Sequence, residues 1–180
     1  SSHLPFNRNG LKFFTKKGGL GKQDITEILD LAETHSFEPS LTQGKIEKRD
    51  FISVYAEGLA QKIRTEVNHP ENFDHPLKGL KIIVDAGNGA GGFYADKVLQ
   101  TLGADTTGSQ FLDPDGSFPN HIPNPEDKTA IASICQAVLD HQADLGIIFD
   151  TDVDRGAAVD SQGNELNRNR LIALISAIVL

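Results

Sequence analysis

The spacing of apolar residues changes character near residue 77. Ahead of it the repeat is helical: Ile25, Ile28, Leu29 and Ala32 share one face of a helix predicted from about Asp24 to His35, where Asp24 and Glu27 give a capping-box-like start. Phe51, Val54, Tyr55, Leu59 and Ile63 share one face of a second helix, from near Asp50 to near Val67. Residues 1–23 are Gly-rich and polar, with one short strand candidate at Leu11 to Thr15, and 36–48 read as a linker. Turn formers crowd the stretch from Asn68 to Pro76, which predicts a boundary between a domain over 1–77 and another over 78–180.

Beyond that boundary strand and helix alternate. Leu80 to Asp85 predicts a strand, Gly91 to Leu102 a helix closed by Gly103, and Ala104 to Leu112 a weaker strand. A proline-rich loop from Asp113 to Pro125 leads to a helix at Lys128 to His141, a strand at Leu145 to Asp150 and another at Gly156 to Asp160. A turn at Ser161 to Asn164 precedes the last helix. Strands separated by helices predict an α/β fold, a mixed, mainly parallel sheet with flanking helices, in which Gly156–Asp160 pairs antiparallel with its predecessor.

Composition narrows the function classes. Of 180 residues, 38% are hydrophobic, with ten Phe and no Trp, enough for one good-sized domain or two small ones. A net charge of −8 argues against a nucleic-acid partner or an anionic membrane surface. The apolar run from Leu171 to Leu180 is too short to span a bilayer. Charge is uneven, however: Arg8, Lys12, Lys16, Lys17 and Lys22 give residues 1–22 a charge of +5, leaving −13 for the rest. A basic patch in an acidic protein suits a small anion, phosphate first. The single cysteine, Cys135, sits in a helical apolar pattern and fits a reducing compartment. No signal or transit segment opens the chain, and the last helix stops without a terminating residue, so a fragment of a longer protein is expected.

Chemistry concentrates where Leu145-Gly146-Ile147-Ile148-Phe149 runs into Asp150-Thr151-Asp152-Val153-Asp154-Arg155. Carboxylates at i, i+2 and i+4 share a face of extended backbone and repel one another unless a cation sits among them. Oxygen ligands suit magnesium, and the ends of strands are where open α/β sheets place their sites. An EF-hand would need Gly and Glu where Arg155 and Ser161 stand. A haloacid-dehalogenase-type phosphatase also opens D-x-D after an apolar strand, but places Thr or Val at the Asp154 position. Gly87, Gly89 and Gly92 satisfy G-x-G-x-x-G after the first strand, but Asp105 starts the following strand instead of closing it, so close packing is the better reading than a dinucleotide site. His69 and His75 have no partners at ligand spacing and read as linker residues.

Two of these stretches resemble one family. Ser2-His3-Leu4-Pro5-Phe6-Asn7-Arg8-Asn9-Gly10-Leu11-Lys12 is similar to the active-site serine loop of the α-D-phosphohexomutases, and Asp150 to Arg155 to their metal loop, D-x-D-x-D-R. The Gly87–Gly89 turn, Asp115-Gly116-Ser117-Phe118-Pro119, the segment with His121, Pro123, Asn124, Pro125 and Glu126, and Gly163-Asn164 with Asn167 and Arg170 match further landmarks in the family's order. The chain departs at Leu4, where the family has Asn, and at Thr151 and Val153, where small residues are usual.

The resemblance implies three-layer αβα domains, the end of the first (1–77) and most of the second (78–180), with two further domains as partners. It implies interconversion of hexose 1-phosphate and hexose 6-phosphate through a phosphoserine and a hexose 1,6-bisphosphate, the latter also serving as activator. Ser2 would carry the phosphoryl group, Lys12 act as general base, and His3 and Arg155 line the phosphate region. Asp150, Asp152, Asp154 and a Ser2 phosphate oxygen would hold Mg2+. A sugar phosphate is the expected substrate, the cytoplasm or a plastid the expected place, and the isolated piece is expected to turn over little. The alternatives are a magnesium-dependent phosphatase and a non-catalytic, phosphate-binding truncated relative.

Overall fold

The computed structural model describes residues 7, 8, 10–36, 38, 40 and 42–179. Ser2 and His3 lie outside that set. The chain forms two compact units that divide between residues 49 and 50.

The first unit is small. β1 (Phe14–Thr15) and β2 (Gly18–Gly19) form an antiparallel hairpin, shorter and later than the strand expected from Leu11. Helix α1 (Lys22–Thr34) begins two residues ahead of expectation because the Asp24 carboxylate accepts the Gly21 backbone N–H at 2.9 Å and caps the helix there. It ends on His35 in the left-handed region, and none of its residues is fully buried.

The second unit opens with α2 (Phe51–Val67), capped by Asp50, whose carboxylate accepts the Ser53 N–H at 3.1 Å. Its buried contacts are Ala56 and Ala60, whose small side chains let it close on Val98 and Leu102. Leu59 and Ile63 pack at the margin, whereas Phe51, Val54 and Tyr55 of the expected face stay exposed. The expected boundary at 77/78 therefore falls inside this unit. Pro76 is buried, and the Leu77 N–H donates to the Leu102 carbonyl at 3.0 Å.

A three-stranded sheet lies at the centre, in the order β3 (Ile82–Asp85), β4 (Leu145–Phe149), β5 (Gly156–Asp160). β3 and β4 run parallel, and β5 returns antiparallel from β4 across the acidic loop. Side-chain alternation sends Ile83, Ile148, Ala157 and Val159 to one face, under Ala130, Ile134, Ala137 and Val138 of α3 (Lys128–His141). Cys135 packs, half-buried, at the edge of this core. Ile82, Val84, Leu145, Ile147 and Phe149 face the other way, against Ala95 and Leu99. With α2 stacked outside, helix, sheet and helix form the expected αβα layers. Gly146 lets α3 approach: a Cβ there would lie 2.6 Å from Val138 Cγ2. α4 (Arg168–Val179) follows, with no residue fully buried.

Two further elements differ from expectation. The helix predicted over 91–102 is a 3-10 turn, Ala90–Gly92, followed by a widened π-helical stretch, Tyr94–Gln100. The strand predicted over 104–112 is reduced to two isolated bridges beside β3, Lys81 with Asp105 and Asp85 with Gln110. Between them a turn carries Gly108 at φ +103°, and the Ser109 hydroxyl accepts the Val84 N–H at 2.9 Å, a bond a sheet would give to a backbone carbonyl.

Candidate functional site

Asp85 is the last residue of β3 and Asp150 the first beyond β4, and strand alternation points both towards the α3 side at the carboxyl edge of two neighbouring parallel strands. Both are fully buried. Buried carboxylates need partners, and each has a different set.

Asp85 is enclosed by donors. The Gly87 N–H reaches Oδ1 at 2.9 Å, Gln110 Nε2 reaches Oδ2 at 2.7 Å, and His121 Nε2 lies 3.0 Å from both oxygens. His121 Nδ1 lies 3.0 Å from the Ile122 carbonyl. Both ring nitrogens lie against oxygens that can accept, an arrangement that favours the doubly protonated ring. Its pKa is accordingly raised, first by the hydrogen bond to Asp85, against the opposing effect of burial, and further by the Ile122 carbonyl and the charges of Asp85 and Asp127.

Asp150 opens the acidic loop. Arg155 donates its backbone N–H to Oδ1 at 3.1 Å and Nε to Oδ2 at 3.0 Å, and Nη2 lies 3.0 Å from the same oxygen. Burial pushes the Asp150 carboxyl up, but hydrogen bonds from the Arg155 N–H, Asp154 and the Arg155 side chain outweigh it and hold the pKa below the ordinary value. Asp152 and Asp154 are exposed, and one oxygen from each of the three carboxylates lies within 4.8 Å of the others. Among the described residues this is the one cluster of metal-ligating side chains. Asp154 is pushed above the ordinary carboxylate value, first by hydrogen bonding with Asp150 and then by the charges of Asp150 and Asp152. Such crowding is what a divalent cation relieves, and an all-oxygen donor set of this charge fits Mg2+.

The convergence is produced by a turn and not by extended backbone. The Val153 N–H donates to the Asp150 carbonyl at 3.3 Å, and Val153 sits at φ +66°, a rare conformation for a β-branched residue. The backbone of Asp150 and Arg155 closes the hairpin at 3.1 Å.

The glycine-rich turn after β3 supports this loop from behind. A Cβ at Gly87 would meet Pro123 Cβ at 2.8 Å, one at Gly89 would meet the Thr151 carbonyl at 2.8 Å, and one at Gly92 would collide with the Leu112 carbonyl. Protein fills the space at all three glycines, so the G-x-G-x-x-G pattern serves packing. The Ala90 N–H donates to the Thr151 carbonyl at 2.9 Å, tying the turn to the acidic loop. Lys12 belongs to the first unit and is exposed. His69 serves its own turn, Nδ1 accepting the Glu71 and Asn72 N–H groups. Asp85 carries no separate signal in the sequence, and its role emerges only once His121 and Gln110 fold onto it.

These features define a class: an αβα domain with a carboxylate cluster at the carboxyl edge of its parallel strands. The family model described as phosphoglucomutase/phosphomannomutase, alpha/beta/alpha domain II, matches residues 53–163. A phosphoglucomutase of Neisseria meningitidis serogroup A is 31% identical over 179 residues, covering 99% of this chain and 36% of that protein. A phosphoglucosamine mutase of Corynebacterium jeikeium is 33% identical over 183 residues, covering 98% and 37%. The crystal structure of a phosphoglucomutase/phosphomannomutase family protein from Burkholderia thailandensis matches the fold with a TM-score of 0.67 at 23% identity, covering 94% of this chain and 40% of that one. The chain belongs to the phosphoglucomutase/phosphomannomutase family, and it spans under half the length of these relatives. No described helix is long and apolar enough to cross a membrane.

Proposed function

We propose that the chain is the serine-loop and metal-loop part of a hexose-phosphate mutase. The carrying observation is the three-carboxylate cluster at the strand edge of the matched family domain. In this reading Asp150, Asp152 and Asp154, with a phosphate oxygen on Ser2, hold Mg2+, which when bound neutralises the charge of the phosphoryl group in transfer. The sugar hydroxyl attacks the phosphorus on Ser2 while the Ser2 Oγ–P bond breaks. Lys12 takes the hydroxyl proton. The resulting hexose 1,6-bisphosphate turns over, its other phosphate returns to Ser2, and the isomeric monophosphate leaves. Arg155 and His3 line the phosphate region. Positioning and charge stabilisation do most of the work in such a transfer.

In this reading the sugar recognised, and steady turnover, depend on two further domains beyond the 36% of the Neisseria relative's length that this chain covers, and the single half-buried cysteine suits a reducing, cytoplasmic setting. A haloacid-dehalogenase-type phosphatase is not favoured, because the matching family is the mutase one. The test is intact mass and peptide mapping after incubation with Mg2+ and a hexose 1,6-bisphosphate. One phosphoryl group on Ser2, lost in Asp152→Asn, is the expected result. Release of inorganic phosphate with Ser2 unmodified would refute the mutase reading.

A further inference from the structure

We infer that Asn124 is a positioning residue that holds the Arg155 guanidinium to one side of Asp150 and so keeps the carboxylate cluster open to a cation. The inference rests on reading that cluster as a cation site.

Arg155 is both a support and a rival. Its Nε and Nη2 each lie 3.0 Å from Asp150 Oδ2, and Nε lies 3.6 Å from Asp154 Oδ1. A guanidinium spread over these carboxylates would neutralise the charge that a divalent ion needs. Its third nitrogen turns elsewhere, with Nη1 donating to Asn124 Oδ1 at 3.4 Å. Asn124 is a neutral acceptor, so it draws the guanidinium without adding an anion to the site.

The acceptor is also fixed. Asn124 Oδ1 accepts the Glu126 N–H at 3.1 Å, which locks the side chain to its own turn. Buried prolines flank it, and Pro123 fills the space beside Gly87. Upstream, His121 is anchored on Asp85. Downstream, the Pro125 carbonyl accepts from Arg168 Nη2 at 2.8 Å, and Arg168 Nη1 pairs with Glu126 at 3.4 Å. A loop pinned on both sides presents one oxygen to Arg155. Without that oxygen one restraint on the guanidinium is gone, and it settles further onto Asp150 and Asp154, which it already touches, and competes with the cation.

The test is Mn2+ binding, followed by electron paramagnetic resonance, in a double-mutant cycle. Asn124→Ala should weaken Mn2+ binding about five-fold, the worth of one net hydrogen bond, and Asn124→Ser should do the same while keeping an oxygen for the Glu126 N–H. In an Arg155→Gln background the loss should vanish, because the residue through which Asn124 acts is gone. A merely structural role would lower the melting temperature without this dependence on Arg155. Should Asn124→Ala fail to fold, Asn124→Ser decides. Affinity within two-fold of wild type, or an equal loss in both backgrounds, overturns the inference and leaves the cation reading standing. A wild-type chain that binds no Mn2+, or binds it unchanged after Asp152→Asn, overturns both.

Discussion

Replacing His121 by leucine would strip the Asp85 carboxylate of its histidine partner in a fully buried position. Gly87 N–H and Gln110 Nε2–H would remain, but neither carries charge. Breaking a buried pair from one side costs about 3–5 kcal/mol, because the surviving charge is neither solvated nor compensated. A domain of this size is stable by about 5–15 kcal/mol, so the variant should lose roughly a fifth or more of its stability. Urea unfolding measures this directly. The pH dependence supplies a second signature. The folded pKa of His121 is raised, so its contribution is fully present below the unfolded value of about 6.5 and is lost as pH climbs through the folded value. The gap between wild type and His121→Leu should therefore be widest in mild acid and narrow as the solution turns alkaline. The double variant His121→Leu/Asp85→Leu should recover part of the loss, since it removes the stranded charge. A gap below about 1 kcal/mol that is flat with pH would refute the reasoning, because a neutral hydrogen bond would then account for the contact.

Three other substitutions test the packing and the turn. Gly146→Ala should destabilise by about 1–3 kcal/mol in urea melts, because its Cβ would lie 2.6 Å from Val138 Cγ2 and 3.0 Å from Ile134 Cγ1, where α3 meets the sheet. Val153→Gly should be no less stable than Val153→Ala in thermal melts, against the usual order, since only glycine escapes the roughly 1–2 kcal/mol cost of the left-handed conformation at φ +66°. Asp152→Asn should raise the melting temperature without metal and abolish the further rise on adding Mg2+, because the same charge that repels Asp150 and Asp154 binds the cation.

What the sequence revealed follows from how local each signal is. Helix α3 and strand β5 have the bounds that periodicity predicts, since each is set by its own apolar pattern and, for α3, by an Asp127 cap that accepts two N–H groups. The acidic loop was legible as a cluster because its three carboxylates are close in sequence. Its geometry was not: alternation implied extended backbone, whereas the turn depends on Val153 taking a conformation that valine avoids. The 104–112 strand failed for a similar reason, as Ser109 replaces a backbone acceptor with a hydroxyl, a substitution no hydrophobic pattern records. The exposed face of α2 was misplaced because the tight contact is made by alanines, which carry little weight in an amphipathic pattern.

Asp85 and Asp150 show why position alone does not make a site. Both end parallel strands, both are fully buried, and both point to the same side of the sheet. An ionised carboxylate offers about four lone-pair positions. At Asp85 Gly87 and Gln110 take one each, and His121, equidistant from the two oxygens, covers the rest, so the group is saturated. At Asp150 the described donors from outside the acidic cluster all come from Arg155, two of them on Oδ2 and one on Oδ1, which leaves capacity for the contacts with Asp152 and Asp154. The first carboxylate can therefore only hold the loop that carries Asn124, while the second can still take a cation. Filling that last position, for instance with a lysine at Asp154, should turn the second site into a copy of the first: stable without metal and indifferent to Mg2+ in thermal melts. An Asp154→Lys variant that still gained stability from Mg2+ would show that the open position on Asp150 is not what binds the ion.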